Sequence, residues 1–519
     1  MTRPDYVCID DLAPAIAEPG WVLRGWWVSE DVGARSIVLE TGPGSAEPLW
    51  FGHRRDDLAA AFPDNPAAGH SGFFGWIPAG PGVLPPGAAR WWFSVPDGTW
   101  RTIPADLQAR TPQGVQAGAL APADPPPSVL EASRRAHDVE TRVRIALAGQ
   151  RALTLRLDIV NKCNLRCVMC HYSVDDIFRR PARSVTPEQF ETWFAPLANH
   201  VHEVMLSCAD EPLMSRHFGD ILRLLRRIAP HVAIRFCTNA TLLTAQTARL
   251  IVEQQVDEVL FSFDACTRET LEAIRRGADF ERVLHNIRRL AALRDQAGSR
   301  FPVLGVNFVM MARNIHEAPS FVDLARELGI AQIDFRHLVE GYDRFRLHDE
   351  QLSRQPARFN HYRAAIAEAA ARAGLAVYLP PPLETPQAWS PGSDEPPCSL
   401  DEFRAAMDRF VPDADATPPQ LAQRESPTTK RWPSMAEFFQ GVYCLRPFTE
   451  VFIRDQHEVL PCPWHHQVLG TLGQGENLLQ FFMGDRFVQL RRAMFQPEGD
   501  PHCQGCPFKS MELPGDRVG

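Results

Sequence analysis

A chain of 519 residues is longer than one hydrophobic core usually organises, so several domains are expected. With 45% hydrophobic and 23% charged residues it has the composition of a folded protein, which excludes disorder throughout. A formal charge of −9 argues against a broad nucleic-acid surface, and no run has the eighteen or so apolar residues of a membrane helix. The opening MTRPDYVCIDDLAPAIAEPG lacks a basic start followed by an apolar core, so the expected location is the cytoplasm.

Residues 1–108 read as a small β-rich, sandwich-like domain. Short alternating runs such as WVLRGWWV and SIVLET are separated by Gly, Pro and Asp, and eight of the twelve tryptophans lie here. Trp21, Trp26, Trp27, Trp50, Trp76, Trp91, Trp92 and Trp100 are expected to pack an aromatic core, with a sugar-stacking platform as the functional alternative. The stretch RRDDLAAAFPDNPAAGHSGF is similar to a segment of β-sandwich modules attached to bacterial glycosyltransferases, which implies a module and no activity.

Residues 109–150 read as a linker and lead-in helix, the Pro- and Ala-rich passage from Arg110 to Val129 having the composition of a semi-rigid spacer. From 151 to 380 apolar runs alternate with helical patterns. The runs LTLRLDIV, HEVMLSCA, VAIRFCTN, EVLFSFDA, VLGVNFVMM and QIDFRHL give six βα units, fewer than a closed barrel needs. Thr186, Pro187 and Gln189 form a capping-box start for the first intervening helix. The fold class expected is therefore α/β, a partial (βα)6 TIM-like barrel with its chemistry at the strand C-terminal ends. Residues 381–436 read as a Pro-rich bridge with one helix around LDEFRAAMDRF, and 437–519 as a compact cysteine-rich domain.

Twelve cysteines in a reducing compartment are better read as ligands where they cluster. Cys8, Cys208, Cys237, Cys266 and Cys398 are scattered and read as small buried hydrophobes. Cys163, Cys167 and Cys170 lie in NKCNLRCVMC directly after the first barrel strand. Three thiolates within eight residues can wrap a [4Fe–4S] cube and leave one iron without a protein ligand; zinc would want four ligands, with paired spacing. His171 is adjacent and is left without a role.

C-x-x-x-C-x-x-C after a first barrel strand resembles the signature of the radical S-adenosylmethionine (radical SAM) enzymes. The resemblance covers residues 151–340 and implies that Cys163, Cys167 and Cys170 hold the cluster whose open iron binds S-adenosylmethionine. Reductive cleavage would then give a 5′-deoxyadenosyl radical that abstracts hydrogen from a substrate. SCADEPL resembles the family's G-G-E-P-like turn through Glu211 and Pro212, with Ala209 and Asp210 in place of its glycines. TNATLL resembles T-N-G-T, placing Asn239 on the cofactor side, and FSFDA resembles S-x-D, giving Ser262 and Asp264 as ribose ligands on one face. Met169, inside the cysteine loop, is also assigned to cofactor binding.

Near the C-terminus, CLRPFTEVFIRDQHEVLPCPW reads as a strand pair turning around Asp455 to His457, which brings Cys444 and Cys462 together. HCQGC adds Cys503 and Cys506. The set resembles a SPASM/twitch-like auxiliary domain with one further [4Fe–4S] cluster, and tetrahedral zinc is the competing reading. The expected function is a radical SAM enzyme acting on a peptide, protein or carbohydrate-derived intermediate, by oxidation or crosslinking. An external one-electron donor of flavodoxin or ferredoxin type would feed it. A zinc-stabilised scaffold with a glycan-binding N-terminal module is the alternative from another class, and an RNA-modifying enzyme a third, which the acidity opposes.

Overall fold

The computed structural model describes residues 5–15, 19–28, 34–53, 55–61, 68–78, 89–105, 115–118, 121–136, 138–338, 347–385, 389–390, 398–411, 419–424, 434–439, 441–454, 457–465, 467–473, 476–504 and 506. The turn expected at Asp455 and parts of the linker and the bridge lie outside these residues.

Alternation of apolar side chains builds the N-terminal module. Its strands are β1 (Asp5–Pro14), β2 (Gly20–Val28), β3 (Ser36–Gly42), β4 (Ser45–His53), β5 (Gly72–Pro78), β6 (Ala89–Ser94), β7 (Trp100–Ala105), β8 (Val115–Gly118) and β9 (Ala121–Pro122). They form one antiparallel sheet in the order β8-β1-β2-β5-β4-β3-β6-β7-β9. Val7 of β1 and Ile103 of β7, far apart in that order, share a core with Trp21, Leu23, Trp27, Phe73 and Trp91, so the sheet curls over its own interior. Trp21, Trp26, Trp27, Trp91 and Trp92 are buried, and Trp27 stacks on Phe93 with ring centroids 5.0 Å apart. The tryptophans therefore pack the module and are not displayed as an exposed platform.

The passage expected to be a linker differs from a free spacer. β8 pairs with β1 and β9 with β7, and the helix Pro127–Ala136 buries Val129 and Ala132 beside Val38 and Trp92. The physical reason is that both outer strands otherwise present unpaired N–H and C=O groups, which short added strands satisfy.

The barrel strands are β10 (Leu153–Leu157), β11 (Val201–Met205), β12 (Ala233–Thr238), β13 (Glu258–Ser262), β14 (Val303–Met310) and β15 (Gln332–His337), all parallel and in chain order. Helices 187–194, 218–228, 245–253, 280–296 and 318–327 run between them. The helix from Pro187 starts on the expected capping box, both side-chain bonds present. Val204, Ile234, Phe236, Val259, Phe261, Val306, Phe308 and Phe335, at most 1% exposed, form the helix-facing layer. Alternate residues, among them Arg156, Met205, Arg235, Cys237, Ser262, Asn307 and Asp334, are only half-buried on the opposite face.

Two additions widen the sheet. β16 (Ala376–Tyr378) pairs with β15, and β17 (Glu450–Arg454) lies parallel to β10, followed antiparallel by β18 (Glu458–Leu460) and β19 (Gly470–Thr471). The C-terminal region is thus no detached domain. Its hairpin continues the barrel sheet past β10, covering an edge that would otherwise be open.

Candidate functional site

The cysteine loop leaves the end of β10 and is tied down on several sides. Arg166 N donates to Arg276 O at 2.9 Å and Val168 N to Ile274 O at 2.9 Å, stitching the loop to the end of the helix Arg268–Ile274. Cys170 N closes a turn on Cys167 O at 3.0 Å. Within this frame Cys167 is 7% exposed, and Cys163 and Cys170 are half-buried. Burial pushes the Cys163 thiol up to about 12, with Glu211, Cys167 and Cys170 adding repulsion; Cys170 is pushed up to about 11 by burial first.

Two side chains turn nitrogen toward these sulfurs. Asn239 Nδ2 lies 3.8 Å from Cys163 Sγ and Arg275 Nη1 3.7 Å from Cys167 Sγ. Asn239 is locked by Asn164, its Nδ2 donating to Asn164 Oδ1 at 3.0 Å, while Asn164 Nδ2 reaches Thr241 Oγ1 at 2.8 Å and Thr241 N returns to Asn239 Oδ1 at 3.0 Å. Arg275 is held by Asp264, Nη2 to Oδ2 at 2.7 Å.

Glu211, of the G-G-E-P-like turn, is 3% exposed and already accepts from Thr238 Oγ1 at 2.7 Å, Asn239 N at 2.8 Å and Leu213 N at 3.3 Å. Its N donates to Lys162 O at 2.9 Å, so the turn holds the residue just before Cys163. Burial raises its pKa to about 7, and those three hydrogen bonds oppose the rise. The missing family glycines leave the turn intact. Asp158 Oδ1 accepts from Cys208 N at 2.6 Å and Ala209 N at 3.0 Å, and Ala240 stands at φ 60° where glycine is usual. Asn286 Nδ2 holds that alanine's carbonyl at 2.8 Å.

The pairing of Ser262 with Asp264 needs correction. Ser262 is half-buried, but Asp264 has no exposed surface, and its carboxylate is spent on Val309 N at 2.8 Å and on Arg275. β13 ends at Ser262, so strand alternation no longer governs Asp264. Ser262, Asn307 and Asp334 instead stand in register on β13, β14 and β15. Met169 is half-buried beside Val168, Ile274 and Met311. His171 sits beside the loop, Nδ1 3.8 Å from Cys170 Sγ and Nε2 3.9 Å from Asp210, which also takes Tyr172 OH and Arg180.

Sequence reasoning missed Arg275, Asn164 and the Ser262–Asn307–Asp334 row. In IRRG nothing separates Arg275 from Arg276, yet the helix end turns only Arg275 inward. The row did leave a trace, polar residues at alternate positions of otherwise apolar strands.

At the C-terminus, Cys444, Cys462, Cys503 and Cys506 are half-buried and share one neighbourhood. Cys503 is pushed up to about 12 by burial first, then by Asp500, Cys444, Cys462 and Cys506. Ligands on a single zinc ion at about 2.3 Å lie about 3.8 Å apart. Among the described residues no three cysteine thiols of either set lie within 4.8 Å of one another.

Residues 157–318 match the Radical SAM superfamily. A probable GTP 3′,8-cyclase of Methanocaldococcus jannaschii is 27% identical over 201 residues, 37% of this chain and 63% of that protein. The Fe-coproporphyrin III synthase of Methanosarcina barkeri is 26% identical over 203 residues, 39% of this chain and 48% of that protein. The chain thus spans less than two thirds of the length of these relatives. The crystal structure of Streptococcus suis SuiB bound to S-adenosylmethionine aligns with a TM-score of 0.47 at 14% identity, covering 70% of this chain and 73% of that one.

Proposed function

From the premise that residues 157–318 make this chain a radical SAM protein, we propose that it is an enzyme that reductively cleaves S-adenosylmethionine. The observation that carries this reading is the loop of three thiols at the end of β10, approached by Asn239 and Arg275. A [4Fe–4S] cluster bound there, together with S-adenosylmethionine, supplies one-electron cleavage of a carbon–sulfur bond and hence a carbon radical.

The protein groups bind and position. Cys163, Cys167 and Cys170 are the ligands; Arg275, oriented by Asp264, donates toward the Cys167 sulfur and neutralises charge on it. Glu211 acts as a brace between Lys162 and Asn239, its carboxylate already accepting three hydrogen bonds. Ser262 and Met169 remain the cofactor-side candidates. Cys444, Cys462, Cys503 and Cys506 hold an auxiliary cluster.

The half-buried barrel face carries Arg156, Arg235, Asn307 and Asp334, matching the mixed donors and acceptors of a peptide or a carbohydrate-derived intermediate. No helix of the described residues is long and apolar enough to cross a membrane, and a reducing cytoplasm with a flavodoxin- or ferredoxin-type donor is the setting proposed. Anaerobically reconstituted protein given dithionite and S-adenosylmethionine should form 5′-deoxyadenosine; intact S-adenosylmethionine with fully loaded protein would overturn the reading.

A further inference from the structure

Apart from the two cysteine sets, two groups of three potential ligands converge within 4.8 Å among the described residues. In the first, Cys266, Glu317 and Cys398, both carboxylate oxygens are already engaged, Oε2 accepting from Cys266 N and from Thr267 N at 3.2 Å and Oε1 from Thr267 Oγ1 at 2.9 Å. The second, His465, Asp500 and His502, is different.

His465 is 2% exposed. Its Nδ1 lies 3.1 Å from Gln467 O, and because a carbonyl only accepts, Nδ1 carries the hydrogen. Nε2 is the second polar atom of the ring. That buried atom makes no hydrogen bond to any described residue, and it faces Asp500 Oδ1 at 3.5 Å. A buried imidazole nitrogen without a hydrogen-bond partner, set beside a carboxylate oxygen, is a place that a bound cation would satisfy. His502 completes the set, with Nδ1 3.0 Å from the same Oδ1, which also accepts from His502 N at 2.9 Å. Donors bound at about 2.1 Å to one ion stand about 3.0 to 3.4 Å apart at ordinary bond angles, so the spacing is already close to that of a single coordination sphere.

We propose that His465, Asp500 and His502 form a mononuclear site for a borderline divalent first-row cation of the Zn2+ or Fe2+ class. Two imidazoles and a carboxylate are the donor set such ions take. The ion staples two turns: His465 N closes on Cys462 O at 3.3 Å, and Cys503 N on Asp500 O at 2.8 Å. It would thereby hold the loops that present Cys462 and Cys503. The site is separate from the thiols and does not depend on the radical SAM reading.

The test uses full-length protein whose cysteines are loaded with iron and sulfide, titrated anaerobically with Co2+. One equivalent should bind with the visible d–d bands of nitrogen and oxygen ligation and without thiolate charge transfer. His502→Ala, a half-exposed position, and Asp500→Asn should each weaken binding at least about tenfold, since losing a direct ligand exceeds losing a supporting bond. Metal analysis of the protein as isolated then tells zinc from additional iron. Absence of Co2+ binding, binding that His502→Ala and Asp500→Asn leave unaltered, or a spectrum dominated by sulfur ligation would each overturn the proposal.

Discussion

The two cysteine regions are built in opposite ways. At the barrel mouth three thiols come from one eight-residue loop, and the surrounding fold supplies restraint: Asp264 grips Arg275, Glu211 grips Asn239, and the loop backbone is sewn to a helix end. At the C-terminus four thiols come from three separate segments, carried on turns whose restraint comes from Asp500, His465 and the β17–β18 hairpin. A short loop leaves one corner of a metal cube free and needs second-layer support to keep it so. Dispersed ligands can enclose a cube completely, so on the proposed reading the first site would hold a reacting ligand and the second a closed group.

The largest expected effect breaks the first region alone. Replacing Cys163, Cys167 and Cys170 with Ala should reduce 5′-deoxyadenosine to background in chromatographic assay, with C-terminal iron retained. Replacing Cys503 and Cys506 with Ala should instead lower iron from about eight to about four atoms per chain while deoxyadenosine still forms; equal loss of both would erase the distinction.

Glu211 sharpens it through pH. Its folded pKa of about 7 lies above the ordinary carboxylate value, so the native state holds the proton more tightly than the unfolded one. Its contribution is full below about pH 4.5 and is lost as pH rises toward 7, on the order of 3 kcal/mol at most. In cluster-free protein, Glu211→Gln should flatten that fall in urea midpoints.

Trp50 stacks on Phe438 at 4.9 Å under the Arg142 guanidinium at 4.3 Å, joining the N-terminal module to the segment before Cys444. Trp50→Ala should cost about 2 kcal/mol in thermal unfolding, less than a fully buried tryptophan, and leave the first loop's iron intact. Smallest is Arg275→Met. Loss of one charge-assisted bond to a thiolate, about 1.4 kcal/mol, should lower the midpoint potential of the barrel-mouth cluster by roughly 60 mV in a potentiometric titration.

Much of this arrangement was legible in the residues. The six parallel strands, the Thr186 cap and the clustering of Cys163, Cys167 and Cys170 follow from periodicity and spacing, which are local properties. What escaped was decided by contacts distant in the chain. The attachment of β17 to β10 depends on an edge that only the folded sheet creates, and the strands within the Pro- and Ala-rich passage depend on the outer strands β1 and β7. The resemblance of FSFDA to S-x-D reads Asp264 as a ribose ligand; its pairing with Arg275, eleven positions on, was not legible, since only the end of a helix determines which of two adjacent arginines points inward.

The most direct measurement is electron paramagnetic resonance of dithionite-reduced Cys503→Ala/Cys506→Ala protein, in which only the barrel-mouth cluster should remain. Adding S-adenosylmethionine should shift its g-values, as binding at a protein-free iron requires. A spectrum identical with and without S-adenosylmethionine, at saturating concentration and full occupancy, would contradict the account.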